Sequence, residues 1–158
     1  MILAADELES ILAHAVRDYP HEACGVVVVR EGERRVIACR NLQDDLHRRD
    51  PERHPRDART AYYIDPLDLL RIGRLEGEGF SIAVIYHSHV DADAYFSETD
   101  KRNALIADEP AYPGVIYIVT AVVAGRAETT AAFRWDSDTC DFVKTGLLVA
   151  ATTEDRRA

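Results

Sequence analysis

Lysine is almost missing from this chain: of its 19 basic residues only Lys101 and Lys144 are lysines, and the other 17 are arginines. Genome composition or salt adaptation explains such usage, and it implies no function. Positive charge is also outnumbered. With 28 acidic residues the net charge is −9, which argues against a protein that holds nucleic acid through phosphate contacts. Cysteine is scarce and scattered. Cys24, Cys39 and Cys140 form no C-x-x-C pair, so neither a disulfide framework nor a thiolate metal cage is expected, and each reads as a small buried hydrophobe. No apolar run approaches the roughly 20 residues needed to cross a bilayer. The opening "MILAADELES" has no basic segment ahead of its apolar residues, so no signal peptide is expected and a cytoplasmic protein is the default.

What is present suits a folded domain: 158 residues, 47% hydrophobic and 30% charged. Leu8, Ile11, Leu12, Ala15 and Val16 recur at helical spacing, predicting a helix over 5–18 that Pro20 stops. "CGVVVVR" reads as a strand, "EGE" as a turn and "RRVIACR" as the partner strand. Residues 42–60 are polar and charged, long enough for a functional or mobile loop. "AYYI" looks like a short strand. Asp65 and Pro66 mark the N-cap and first residue of a helix over "LDLLRIGRLEGEG". "FSIAVIYHSH" is the central strand, and Ser97 opens a helix over "SETDKRNALIAD". "GVIYIVTAVV" and "AETTAAFRW" make a hairpin around Ala-Gly, and "CDFVKTGLLVA" adds one more strand. The expected product is one α/β domain over 1–150, a mixed β-sheet flanked by helices, followed by a frayed tail at 151–158.

Chemistry concentrates in "YHSHVDADAYFSETD", residues 86–100. Side chains alternate along a strand, so His87 and His89 share a face and Ser88 takes the other. A catalytic zinc keeps three protein ligands and one water. Asp100, in the first turn of the following helix, is the obvious third ligand. Ser97 and Asp100 also form an S-x-x-D capping pair that needs no metal, and both readings stand at this point. With this chain's histidine, serine and aspartate counts, H-x-H-x7-S-x2-D arises by chance in roughly one such chain in a thousand. A hydrolytic zinc also needs a carboxylate that is not a ligand, to take a proton from water. Glu22, before "CGVVVVR", suits that role, although a solvated glutamate at an element boundary is the plainer reading of it alone.

P-x-E-x-C-G leading into a strand, then strand–H-S-H–x7–S-x-x-D, resembles the JAMM (MPN-plus) metalloprotease family. The likeness extends to "CRN" after the second strand and "YYIDP" before the middle helix, so it spans most of the chain. It implies a cytidine-deaminase-like α/β/α fold with His87, His89 and Asp100 as zinc ligands. Glu22 would then be the general acid/base, and Ser97 would help hold the oxyanion. Two positions depart from the family pattern: proline usually follows the second histidine and often precedes the serine, where this chain has Val90 and Phe96. Short stand-alone bacterial members resemble enzymes that cut after the Gly-Gly end of a ubiquitin-like sulfur carrier, some releasing cysteine. The implied partner is such a carrier, whose tail would lie between the 42–60 and 90–96 loops. There Arg53, Arg56 and Arg59 would meet a carboxylate, or simply belong to a solvated loop.

Three other readings compete. A metal-free scaffold of the same fold would lack the motif that is intact here. A zinc nucleoside deaminase would need P-C-x-x-C, which is missing. A cysteine hydrolase on Cys24 and His21 would need a base within reach of the thiol.

Overall fold

The computed structural model describes residues 2–150; the tail expected at 151–158 lies outside the described residues. In chain order the elements are β1 (Ile2–Ala4), α1 (Ala5–Asp18), β2 (Cys24–Arg30), β3 (Glu33–Cys39), α2 (Gln43–Arg49), α3 (Pro66–Gly77) and β4 (Ser81–Val90). Then follow α4 (Glu98–Ala104), β5 (Leu105–Ile106), β6 (Glu109–Pro110), β7 (Ile116–Val123), β8 (Arg126–Asp136), β9 (Asp141–Thr145) and β10 (Leu148–Ala150). The main sheet runs β3-β2-β4-β7-β8-β9. Its pairs are antiparallel except β4 with β7. The segment between those two parallel strands carries α4, which is how the chain returns over the end of β4.

Alternation along the strands sorts the core into two layers. Cys24, Val26, Val28 and Ile85 face Ile72 of α3 and Ala104 of α4. Val27, Val84, Tyr86 and Ile118 face Ile11 of α1. The sheet is thus covered on both sides, which explains why β2, β4 and β7 read as apolar runs. This is the single mixed α/β domain the sequence predicts.

One close approach depends on a glycine. A Cβ on Gly25 would lie 2.4 Å from both the Tyr86 hydroxyl and the Ile37 carbonyl oxygen. The bare backbone lets the Tyr86 ring cross β2 and reach His14 Nδ1, 2.8 Å from its hydroxyl. His14 is in turn 2.9 Å from Asp18 through Nε2, so a buried polar chain joins α1 to the central strand.

Four expectations need correction. Residues 42–60 are not an open loop, because Gln43–Arg49 forms α2. Asp44 and Asp45 lie in its first turn and His47, Arg48 and Arg49 in its last, matching the helix dipole at both ends. "AYYI" contributes only an isolated bridge, Asn41 to Ile64. The helix from Ser97 stops at Ala104, and the chain then turns into the β5–β6 hairpin. "CDFVKTGLLVA" divides at Gly146 and Leu147 into β9 and β10. β10 pairs in parallel with the short β1, a long-range pairing that no local pattern announces.

Candidate metal centre

β4 ends the core with His87 and His89 on its α3/α4 face. Their Nε2 atoms lie 3.3 Å apart. Asp100 is the third residue of α4, where Ser97 caps the helix. Its Oδ1 is 3.4 Å from His87 Nε2 and its Oδ2 is 3.5 Å from His89 Nε2. One ligand atom from each of the three residues falls within 4.8 Å of the others, and all three residues are buried. The capping reading of S-x-x-D describes this structure, and the ligand reading is compatible with it. The Ser97 hydroxyl accepts from Asp100 N at 3.1 Å, the Asp100 carboxylate accepts from Ser97 N at 2.8 Å, and the same carboxylate faces the imidazoles.

The donor set suits a cation. His89 Nδ1–H donates to the Asp93 carbonyl at 2.8 Å, so a neutral His89 presents the lone pair of Nε2 to the cluster. His87 is stacked on Tyr62 with ring centroids 4.7 Å apart. Its buried Nδ1 has no hydrogen-bond partner among the described residues. Two imidazole nitrogens and a carboxylate converging away from water repel one another unless a cation or protons lie among them. The Asp100 carboxyl records this tension. Burial pushes it up, but in the metal-free chain the neighbouring His87, hydrogen bonds from imidazoles that carry their proton on Nε2, and the Ser97 hydroxyl outweigh burial and hold it well below the usual carboxylate range. His₂Asp is a nitrogen–oxygen set of the kind zinc takes with three protein ligands.

Glu22 stands beside the cluster without joining it. It precedes β2, whose register pairs Cys24 with His87. Its backbone is held on both sides: Glu22 N–H donates to the Ala58 carbonyl at 2.7 Å, and Asn41 Nδ2 donates to the Glu22 carbonyl at 2.9 Å. One residue on, Ala23 N–H donates to Ser88 Oγ at 2.8 Å, and Ser88 N–H returns to the Ala23 carbonyl at 3.0 Å. Ser88 thus locks the entry of β2 to β4 from the opposite face. The Glu22 side chain is 5% exposed. Burial, reinforced by the Asp100 charge and opposed by Arg56, pushes its carboxyl up to about 9. A buried carboxyl poised to gain and lose a proton beside a metal-type cluster is equipped for proton transfer.

Glu22, His89, Ser97 and Asp100 open onto one cleft, walled by Arg56 and Thr60 on one side and Tyr95 on the other. It lies between the 56–60 and 89–97 segments, which fall largely within the 42–60 and 90–96 stretches between which the sequence reading sets a groove. Arg53 does not line it, whereas Arg56 and Arg59 do. The departures at Val90 and Phe96 have structural counterparts. Val90 continues the ladder of β4 opposite Val122. Phe96 is buried against Tyr117, Phe133 and Phe142, with centroids 5.1, 5.4 and 4.8 Å away. Asp91 ties the loop further, accepting from Ala124 N at 3.0 Å and from the Tyr19 hydroxyl at 3.1 Å. The 90–96 loop is thus fastened by packing and hydrogen bonds where the family pattern uses proline.

The cysteine-hydrolase reading fails on geometry. Cys24 is fully buried and burial pushes its thiol far up, while His21 is exposed and lies 3.4 Å from Asp44. Three roles escaped the sequence reading: the Tyr62 stack, the Asn41 clamp and α2. Asn41 and Tyr62 fall in the "CRN" and "YYIDP" of the family likeness, which carried no role for them, and α2 had a local signal in the acid-to-base order of "QDDLHRR".

Known proteins point the same way. The chain is 34% identical over 111 residues to a Mycobacterium tuberculosis protein named CysO-cysteine peptidase, covering 70% of this chain and 67% of that one. It is 31% identical over 122 residues to the desampylase of Haloferax volcanii, covering 74% and 77%. Its fold is similar to that of a JAB1/MPN domain protein from Archaeoglobus fulgidus, with a TM-score of 0.53, 13% identity, and 95% and 99% of the two chains covered. Residues 4–137 match the prokaryotic homologs of the JAB domain, and the chain belongs to that family.

Proposed function

We propose that this protein is a zinc-dependent peptidase that cuts the amide following the C-terminal Gly-Gly of a ubiquitin-like sulfur-carrier protein, with cysteine among the groups it releases. The observation that carries the reading is the pairing of a buried His87–His89–Asp100 cluster with a buried carboxyl, Glu22, that is not part of it but shares its cleft. The names of the two relatives, a CysO-cysteine peptidase and a desampylase, support the substrate class.

His87, His89 and Asp100 would hold the metal. Bound zinc supplies Lewis acidity and lowers the pKa of water from 15.7 to about 7. Glu22 acts from its carboxylate form, which a cation held by the neighbouring cluster would favour over the protonated form that burial imposes in the metal-free chain. It accepts the proton released as water attacks the acyl carbon and delivers it to the nitrogen as the C–N bond breaks, leaving a carboxylic acid and an amine. Ser97 stands at the cleft with its hydroxyl 2.6 Å from Asp100 Oδ2. Turned from that carboxylate toward the substrate, the hydroxyl becomes an oxyanion donor, a contribution typically worth about 10²–10³ in rate.

Two measurements test the reading. Protein purified without chelator is expected to carry close to one zinc per chain. No bound metal, and no uptake on titration, would leave a scaffold of this fold. The enzyme is also expected to cleave a carrier conjugate only after Gly-Gly and to leave the carrier body intact. Efficient cutting of unrelated peptides would overturn the substrate class.

A further inference from the structure

The two arginines on the cleft wall are not equivalent. Arg59 directs its guanidinium at Asp91, 3.3 Å away. Arg56 donates to the Thr60 carbonyl at 3.3 Å and pairs with no carboxylate among the described residues. In a chain of net charge −9, an exposed guanidinium on a cleft wall with no carboxylate partner invites an anion.

Its placement is built rather than incidental. Gln43, a buried polar residue of α2 at 7% exposure, donates through Nε2 to the Arg56 carbonyl at 2.7 Å. Two residues on, Ala58 N–H donates to Asp44 Oδ1 of the same helix at 2.7 Å. The Ala58 carbonyl in turn holds Glu22 N–H at 2.7 Å. One short frame thus carries both Arg56 and Glu22, and the two side chains line the same cleft.

We infer that Arg56 is the specificity-determining residue of the leaving-group side, and that it pairs with the α-carboxylate of a single amino acid joined to the carrier tail. This rests on the peptidase reading above. Glu22 delivers its proton to the leaving nitrogen, so the substituent on that nitrogen lies along the wall that Glu22 shares with Arg56. In a terminal amino acid the carboxylate is two bonds from the nitrogen, within the cleft. In an isopeptide the nitrogen carries an aliphatic lysine stem, which offers the guanidinium no charge. Arg56 therefore favours release of a free amino acid over separation of two proteins. The fork geometry of arginine on a carboxylate adds direction to the charge.

The test reads binding, so it does not depend on turnover. A fluorescently labelled peptide ending Gly-Gly-Ala with a free α-carboxylate, and its C-terminal amide twin, are titrated onto the zinc-loaded full chain carrying Glu22→Gln. The free acid is expected to bind about ten-fold more tightly, in line with the typical worth of a hydrogen bond to a charged group. Adding Arg56→Ala brings the ratio to about one, and Arg56→Lys keeps part of it. Equal affinity for acid and amide overturns the proposal, as does an acid preference that survives Arg56→Ala, or no binding of either peptide. Cleavage assays judge the parent reading separately: a chain that prefers the acid tail but never cuts it keeps this subsite and loses the peptidase.

Discussion

At Glu22 and its neighbours, ligand and base make opposite demands on metal, and that difference separates their roles. Glu22→Gln keeps the shape of a side chain that is 5% exposed while removing its proton acceptor. Zinc is expected to stay while turnover falls by about 10²–10⁴, the usual worth of a general base. His87→Ala, His89→Ala or Asp100→Ala takes one atom from the three that converge within 4.8 Å. Zinc affinity should then fall by more than the roughly 10–100-fold that losing an outer hydrogen-bond partner costs. Metal analysis beside a rate assay distinguishes the two outcomes: zinc loss in Glu22→Gln would make Glu22 a ligand. Ser97→Ala should retain metal and lose about 10²–10³ in rate. It should also lose about 1 kcal/mol of stability, because its hydroxyl caps α4.

At the scale of elements, the loop between β4 and α4 aims Asp100 at the histidines, and Phe96 fastens it. Removing that ring leaves a cavity among Tyr117, Phe133 and Phe142. Phe96→Ala is expected to cost about 3–5 kcal/mol, read by urea denaturation. It should also weaken zinc binding although residue 96 is no ligand. A variant that lost stability but bound zinc as before would show that α4 keeps its place without the loop. The start of β2 has the opposite sensitivity. At Gly25 an added methyl meets the Tyr86 ring and the backbone of β3, and in such tight surroundings Gly25→Ala is expected to destabilise by about 1–3 kcal/mol. An unchanged denaturation midpoint would mean that Tyr86 moves aside freely.

For the whole molecule, Glu22 links folding to pH and to metal. Its carboxyl is raised from 4.5 to about 9 in the folded chain. A raised folded pKa contributes stability that is fully present below about 4.5 and lost as pH rises through about 9. Metal-free protein is therefore expected to melt at progressively lower temperature across that window, and Glu22→Gln should flatten the trend. Asp100 works the other way. Its lowered pKa contributes stability present above the ordinary value of 3.8 and lost as pH falls through the folded one. Zinc that bound only the folded chain would add about 2.7 kcal/mol at 100 times its Kd. Melting curves with and without chelator, from mildly acidic to mildly alkaline pH, check both effects. A pH-independent melting temperature in the metal-free protein would contradict the buried, charge-sensitive placement of Glu22.

Much of this protein is legible in its sequence, because local patterns carry local physics. The helical spacing of Leu8, Ile11 and Ala15 defines α1, apolar β-branched runs define β2, β4 and β7, and Asp65-Pro66 opens α3. Period-two alternation alone puts His87 and His89 on one face. The S-x-x-D spacing sets Asp100 one turn into its helix whether or not metal is present. Only the tertiary structure decides the rest, since contacts between distant segments leave no periodic trace. The register of β2 on β4 brings Glu22 beside a cluster more than sixty positions along the chain. Tyr62 meets His87 across the fold, and Asn41 reaches both Glu22 and Ala61. The stretch expected to be a functional or mobile loop is held against the cleft by a helix of seven residues, because the side chains of Gln43 and Asp44 find backbone partners at Arg56 and Ala58. Propensity could not announce those hydrogen bonds, because each needs a partner more than twelve residues away that only the folded chain brings near.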